Sequence, residues 1–178
     1  FLELYPTVSE ILNIREDHLD FFKDIEDIRQ SFRRFAARTP KEGAVVIDTA
    51  IDNYQEIVEG LPCRVITVGP GESSDYRAED IQFDTLDDAR FTVVTSAGER
   101  EEIRLRVPGA HNVDNALAAV AAARFLGASW DAVRAGLWHY EGTERRFQKK
   151  GEFNGVTVVD DYAHHPDEIR ATLSAAAA

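Results

Sequence analysis

Ala44-Val45-Val46-Ile47 and Arg64-Val65-Ile66-Thr67-Val68, separated by Tyr54-Gln55-Glu56-Ile57-Val58-Glu59, decide the fold of this chain. Each apolar run is short enough for a strand, and the segment between them carries a helical turn. The order strand, helix, strand predicts parallel pairing, because only a crossover returns the second strand in the same direction. Upstream, Thr7 to Ile14 reads as a further strand, and Arg15-Glu16-Asp17-His18-Leu19-Asp20 follows as a polar turn at its carboxyl end. Ile25, Ile28, Phe32 and Phe35 then repeat at helical spacing behind Asp24, and Thr39-Pro40 closes that helix. Its apolar stripe belongs to the core.

Downstream, Asp75 to Val107 turns to a β pattern. Phe91-Thr92-Val93-Val94, a turn at Ser96-Ala97-Gly98, and Ile103, Leu105 and Val107 alternating with Glu and Arg predict a surface hairpin or small antiparallel sheet. Pro108-Gly109 ends it. A helix follows with Val113, Ala116, Leu117, Val120 and Ala123 on one face and Gly127 past its last turn, and Ser129 caps another through Leu137. Composition changes around Gly142, a strand is expected at Val156 to Val159, and Pro166 with Asp167 and Glu168 opens a last helix running into Ala175 to Ala178. A domain boundary is therefore expected at residue 142, dividing 1–142 from 143–178.

The 178 residues, 44% of them hydrophobic, suffice for one full core. A formal charge of −12, from 32 acids against 20 bases, excludes nucleic acid as the expected partner while leaving room for a small anion in a local basic pocket. Cys63 is the sole cysteine, beside Leu61, Pro62 and Val65, and reads as packing in a reducing compartment. No stretch approaches the roughly 20 apolar residues of a membrane span. No membrane partner is expected, and the cytoplasm is the expected location. Methionine is absent even from position 1, which is read as an internal piece of a longer protein.

Chemistry concentrates in four places. In Pro108-Gly109-Ala110-His111-Asn112-Val113-Asp114-Asn115, the two amides are three apart and share a face at a helix start. An amide donates and accepts at once, matching the N6 donor and N7 acceptor of adenine. The alternative is a cap at Asn112 with Asn115 solvated and His111 a half-buried imidazole. Gly142-Thr143-Glu144-Arg145-Arg146-Phe147-Gln148-Lys149-Lys150-Gly151 is the densest positive cluster, and guanidinium binds phosphate through paired hydrogen bonds. Its alternative is a solvated basic turn. His18 among carboxylates is a candidate metal donor beside phosphate, or an imidazole bonded to an acid. Asp160-Asp161-Tyr162-Ala163-His164-His165-Pro166 joins strand to helix, where an acid takes ribose hydroxyls or caps the helix.

Together, Asn-Ile-x-x-Asp-His-Leu-Asp, Pro-Gly-x-His-Asn-x-x-Asn-Ala, Gly-Thr-x-Arg-Arg-Phe and Asp-Asp-Tyr-Ala-His-His-Pro resemble, in order and over essentially the whole chain, the Mur ligase family of peptidoglycan synthesis. The resemblance implies an α/β fold. Residues 1–142 would be the latter part of a P-loop-type central ATPase domain, mostly parallel sheet with a small antiparallel element, and 143–178 the start of a Rossmann-like C-terminal domain. It also implies ATP and Mg²⁺ as cofactors, with His18 holding a second Mg²⁺ and Asn112, Asn115 and the adjoining His111 at adenine. Arg146, with Arg145 beside it, would reach the γ-phosphate, Asp161 the ribose, and Tyr162, His164 and His165 would face substrate. Residues 24–38 contain no lysine, similar to the branch that joins L-alanine to UDP-N-acetylmuramate through an acyl phosphate. A recycling branch that attaches a murein peptide, and a non-catalytic nucleotide-binding module, are the alternatives. The Gly-x-x-Gly-Lys-Thr phosphate loop is absent from this sequence, so ligation by these 178 residues alone is not expected, and marginal stability is expected from sheet edges that further strands would cover.

Overall fold

The computed structural model describes residues 1–85 and 88–177. Strand β1 (Val8–Ile11), helix α1 (Ile25–Ala36), β2 (Ala44–Asp48), α2 (Tyr54–Val58) and β3 (Arg64–Val68) alternate, and the three strands pair in parallel. Every residue of β2 is buried. Ala44 and Val46 enter one hydrophobic cluster while Val45 and Ile47 enter the other, as the two-residue period of a strand demands. A strand covered on both faces shows no polar side, which is why this run reads as unbroken apolar sequence. The first strand is shorter than the expected Thr7 to Ile14. Ile11 pairs with Ile47, and β2 ends one residue later, so Asn13 and Ile14 have no strand to lie beside.

Strands β4 (Tyr76–Thr85), β5 (Asp88–Thr95) and β6 (Arg100–Leu105) continue the same sheet, in the order β1-β2-β3-β4-β5-β6. A parallel contact between Val68 and Tyr76 joins β3 to β4, and the remaining pairings are antiparallel. Of the two forms expected here, the antiparallel sheet is the one found, and its surface placement is corrected: its apolar face is core. Phe91 is 1% exposed, and with Val93, Ile103 and Leu105 it packs into the cluster that holds Ala44 and Val46. Burying a side chain of that size contributes about 1.5–3 kcal/mol. The opposite face carries charged residues, with Arg100 paired to Glu79 at 2.7 Å. Positions 86–87, within this β region, and Ala178, within the closing Ala175 to Ala178 run, lie outside the described residues.

Helix α3 (Ala110–Phe125) covers β1 to β5, and α4 (Trp130–His139), capped by Ser129 as expected, packs on β6 and α3. Val113, Ala116, Leu117, Ala118, Val120, Ala121 and Ala122 are all buried, a wider apolar surface than the single face expected. The alanines let α3 lie close to the sheet while α4 and a final helix, α5 (Pro166–Ala177), pack against it. Helices α1 and α2 lie against each other over the second cluster, where α2 reaches β2. Asp24 caps α1 by accepting the Asp27 N–H at 2.9 Å.

After residue 143, β7 (Gln148–Phe153) and β8 (Val156–Asp160) form a separate antiparallel pair. Within the basic cluster of Gly142 to Gly151, residues from Gln148 on are not a solvated turn but a strand without apolar alternation, held in register by β8. The architecture is mixed α/β, with a mostly parallel run of β1 to β4 and antiparallel additions. Among the described residues no helix is long and apolar enough to cross a membrane.

Candidate functional site

The amino end of α3 is built around Gly109. Its φ of +93° is in a range that side chains rarely adopt, and a Cβ there would stand 2.7 Å from the His111 ring. This backbone turns Pro108 so that its carbonyl accepts the Asn112 Nδ2–H at 2.6 Å. Asn115 Nδ2 in turn approaches Asn112 Oδ1 at 3.4 Å. The two amides form a short chain whose orientation is fixed from the backbone. Each amide still has one N–H to offer, and the Asn115 oxygen remains available as an acceptor.

Facing them is the polypeptide from Gly142 to Phe147 and the turn after β8. Asp161 ties these segments together. Its Oδ2 accepts the Phe147 N–H at 2.8 Å and its Oδ1 accepts the Ala163 N–H at 2.7 Å, an Asx turn rather than a helix cap. Arg146 lies 3.8 Å from Glu168 in the first turn of α5. In the same turn, Asp167 lies 3.7 Å from Arg15 of the His18 loop. The chain begins α5 with Pro166 at the first helical position, and the His165 Nδ1 accepts the Asp167 N–H at 3.3 Å, so that nitrogen carries no proton there.

Two adjoining cavities result. One, of about 570 Å³, is walled by Asn112, Asn115, Arg146 and Asp161. The other, of about 690 Å³, is walled by His18, Asn115, His165 and two acids, Asp48 and Asp114. His111 and Asn115 border both. Both volumes fall in the range of small-molecule sites. The amides, Arg146 and Asp161 are therefore brought to one cavity, His18 and His165 to the one beside it, with His111 and Asn115 between them. Arg145, Tyr162 and His164 are not in the walls of either. The Arg145 guanidinium stacks over the Tyr162 ring at 4.6 Å, and the His164 ring packs edge-on to Tyr162 at 5.4 Å.

His18 has φ +53°, and its carbonyl accepts from Phe21 and Phe22, so the loop's turn geometry presents the ring outward, 3.7 Å from Asp17. Among the described residues no group of three or more His, Cys, Asp or Glu side chains is placed to hold a metal ion. A lone imidazole is not a resident metal cage; it fits only an ion carried mainly by phosphate oxygens and water.

Asp48 and Asp114 are the site residues that the sequence reading passed over. Asp48 closes the buried run of β2, its Oδ1 accepting the Ala50 N–H at 2.7 Å, and burial raises its pKa. Asp114 opens to the cleft, yet the protein around it desolvates the carboxylate. With Asp48 adding repulsion, its pKa is pushed up to about 6. Desolvation also pulls the His111 pKa below the ordinary imidazole value; Asp161 opposes this and Arg146 adds to it. An acid ending an all-apolar strand was the available signal for Asp48. For Asp114 there was only its place between two candidate amides.

Residues 2–123 match the family model for the Mur ligase middle domain, and residues 145–178 that for the Mur ligase, glutamate ligase domain. UDP-N-acetylmuramate–L-alanine ligase of Lachnospira eligens is 52% identical over 99% of this chain and 39% of its own length. The protein of the same name from Caldanaerobacter subterraneus is 44% identical over 99% of this chain and 38% of its own. The chain thus spans about two fifths of these relatives. Among solved structures, MurF from Acinetobacter baumannii aligns with a TM-score of 0.85 at 29% identity, covering 96% of this chain and 37% of that one. UDP-N-acetylmuramate-alanine ligase from Thermotoga maritima aligns with 0.81 at 29% identity, covering 98% and 39%. With a middle-domain match over most of its length, relatives near half identity and the same fold throughout, this chain belongs to the Mur ligase family.

Proposed function

We propose that this chain is the nucleotide-handling portion of an ATP-dependent ligase that joins L-alanine to UDP-N-acetylmuramate. Residues 1–142 would be the latter part of its central ATPase domain and 143–178 the start of its C-terminal domain. The observation that carries the reading is the shared cavity of Asn112, Asn115 and Arg146. Fixed amides suit an adenine edge, and a guanidinium across the same space suits phosphate.

In this reading a carboxylate oxygen of the muramyl lactyl group attacks the γ-phosphorus of ATP, the bond to ADP breaks, and an acyl phosphate forms. The neutral amine of alanine then attacks the acyl carbon, phosphate leaves, and the surplus amine proton passes to solvent. Arg146 stabilises the charge on the transferring and departing phosphoryl group. Asn112 and Asn115 fix the base, and Asp161 holds the loop that carries Arg146 while accepting from ribose. His18 would supply one donor to Mg²⁺, which when bound would neutralise phosphate charge. His165 borders the cleft from the α5 side, and Tyr162, His164 and Arg145 form a stacked cluster toward the substrate.

The test is ADP release by the protein at its natural length. Release should require ATP, UDP-N-acetylmuramate and L-alanine together. Release with a murein tripeptide in place of alanine would favour the recycling activity, and no release with either would leave only a nucleotide-binding module. The 178 residues by themselves, lacking the Gly-x-x-Gly-Lys-Thr loop, should show no alanine-dependent hydrolysis.

A further inference from the structure

Glu168 makes more polar contacts at the cleft than its place on an exposed helix turn requires. Its Oε2 accepts the backbone N–H of His164 at 3.1 Å and of His165 at 3.3 Å, and lies 3.5 Å from the His164 ring nitrogen. The other oxygen, Oε1, points at Arg146 Nη1, 3.8 Å away. The two oxygens thus have separate tasks. One fastens the turn after β8 as the reciprocal half of a capping box; the other faces the guanidinium. These contacts hold the carboxyl below its ordinary pKa, so the charge persists at neutral pH.

We propose that Glu168 is a positioning residue: anchored by the His164–His165 backbone, its carboxylate sets the direction of the Arg146 guanidinium toward the cleft. This rests on the reading of Arg146 as the phosphate-facing group. An arginine side chain 58% exposed on a loop has wide rotamer freedom, and among the described residues Glu168 is the one acid that forms an ion pair with it. A guanidinium presents five N–H groups along distinct edges. A loose contact at one Nη orients the group while leaving a bidentate edge for phosphate.

Glu168→Gln separates the two tasks, because the amide oxygen still accepts the two backbone N–H groups while its NH₂ replaces the anionic oxygen before Arg146. In the protein at natural length, E168Q should melt close to wild type but bind a fluorescent ATP analogue about fivefold more weakly, with a comparable fall in kcat/KM. In an Arg146→Gln background the same change should have no further effect. Glu168→Asp, which keeps the charge, should retain more nucleotide affinity than E168Q at equal or lower melting temperature, and this ordering tests the claim even if E168Q folds poorly. E168Q with unchanged affinity, effects of the two substitutions that multiply independently, or affinities that track melting temperature across the variants would each overturn the inference. A wild type that binds the analogue while E168Q is unaltered sinks this inference alone; a wild type that binds no nucleotide sinks the functional reading and this inference with it.

Discussion

At the scale of single residues, Asp114 gives the sharpest pH dependence. Its folded pKa of about 6 stands above the ordinary aspartate value of 3.8, so between these values the native state holds a proton that the unfolded chain has released. Stability from this group therefore falls as pH rises from about 4 to 6, and the cost stays in force at neutral pH. The side chain is open to solvent in the cleft, so screening reduces that cost to the order of 1 kcal/mol. Asp114→Asn should raise the melting temperature at pH 8 by roughly 2–4 °C and change it little at pH 4. Equal gains at both values would refute the assignment. The neighbouring amides should separate in a different way. Asn112 is bonded to the Pro108 carbonyl at 2.6 Å, so Asn112→Ala should cost about 1 kcal/mol of stability in urea titrations as well as nucleotide affinity. Asn115, which faces the cleft, should on replacement by Ala stay within about 0.5 kcal/mol of wild type and lose affinity alone. The amides, Arg146 and His18 could be nominated from sequence because fixed spacing and residue chemistry single them out. Asp48 and Asp114 were not, because what distinguishes them is their closeness across the fold.

Among the elements, the amino end of α3 combines backbone strain with the proposed nucleotide site. Gly109 combines φ +93° with ψ 142°, a conformation nearly restricted to glycine, and its missing Cβ leaves space for the His111 ring. Gly109→Ala should cost about 1–3 kcal/mol and should also weaken nucleotide binding, since His111 and Asn112 must shift to relieve it. Leu117, two turns further along and 2% exposed, is the contrasting case. Leu117→Ala should cost about 2–5 kcal/mol by leaving a cavity between helix and sheet. Nucleotide affinity of the molecules that remain folded should be nearly unchanged, and paired urea and binding titrations would show whether the two effects part in this way. Buried strands and helix caps were readable here because β2 carries apolar residues throughout and Asp24, Ser129 and Pro166 stand where helices begin. The joining of β4 to β3 was not readable, since it hangs on a single residue pair, Val68 with Tyr76. Nor was β7, whose Lys149, Lys150 and Gly151 lack any strand signature and are placed by pairing with β8.

Across the whole molecule, the part after residue 143 is fastened to the rest by modest means. Asp167 in the first turn of α5 meets Arg15 at 3.7 Å, and Ala175 is buried where α5 meets α3. An exposed ion pair at such a distance contributes about 0–1 kcal/mol, and salt weakens it further. A contact this small favours relative motion between the two parts. The connecting segment carries Arg145 and Arg146, so trypsin reports directly on how firmly the cleft is held. In the protein at natural length, raising salt should speed cleavage after Arg145 and Arg146 relative to an unstructured control peptide in the same buffer. A non-hydrolysable ATP analogue should act in the opposite sense, because in the proposed reading it binds Arg146 from one part and the Asn112–Asn115 pair from the other. At about a hundred times its dissociation constant such a ligand stabilises the closed arrangement by about 2.7 kcal/mol, which allows up to about a hundredfold slower cleavage. Asn115→Ala should blunt that protection at fixed analogue concentration without altering the rate in the absence of nucleotide. Cleavage equally fast with and without saturating nucleotide would mean that the two walls do not grip one ligand.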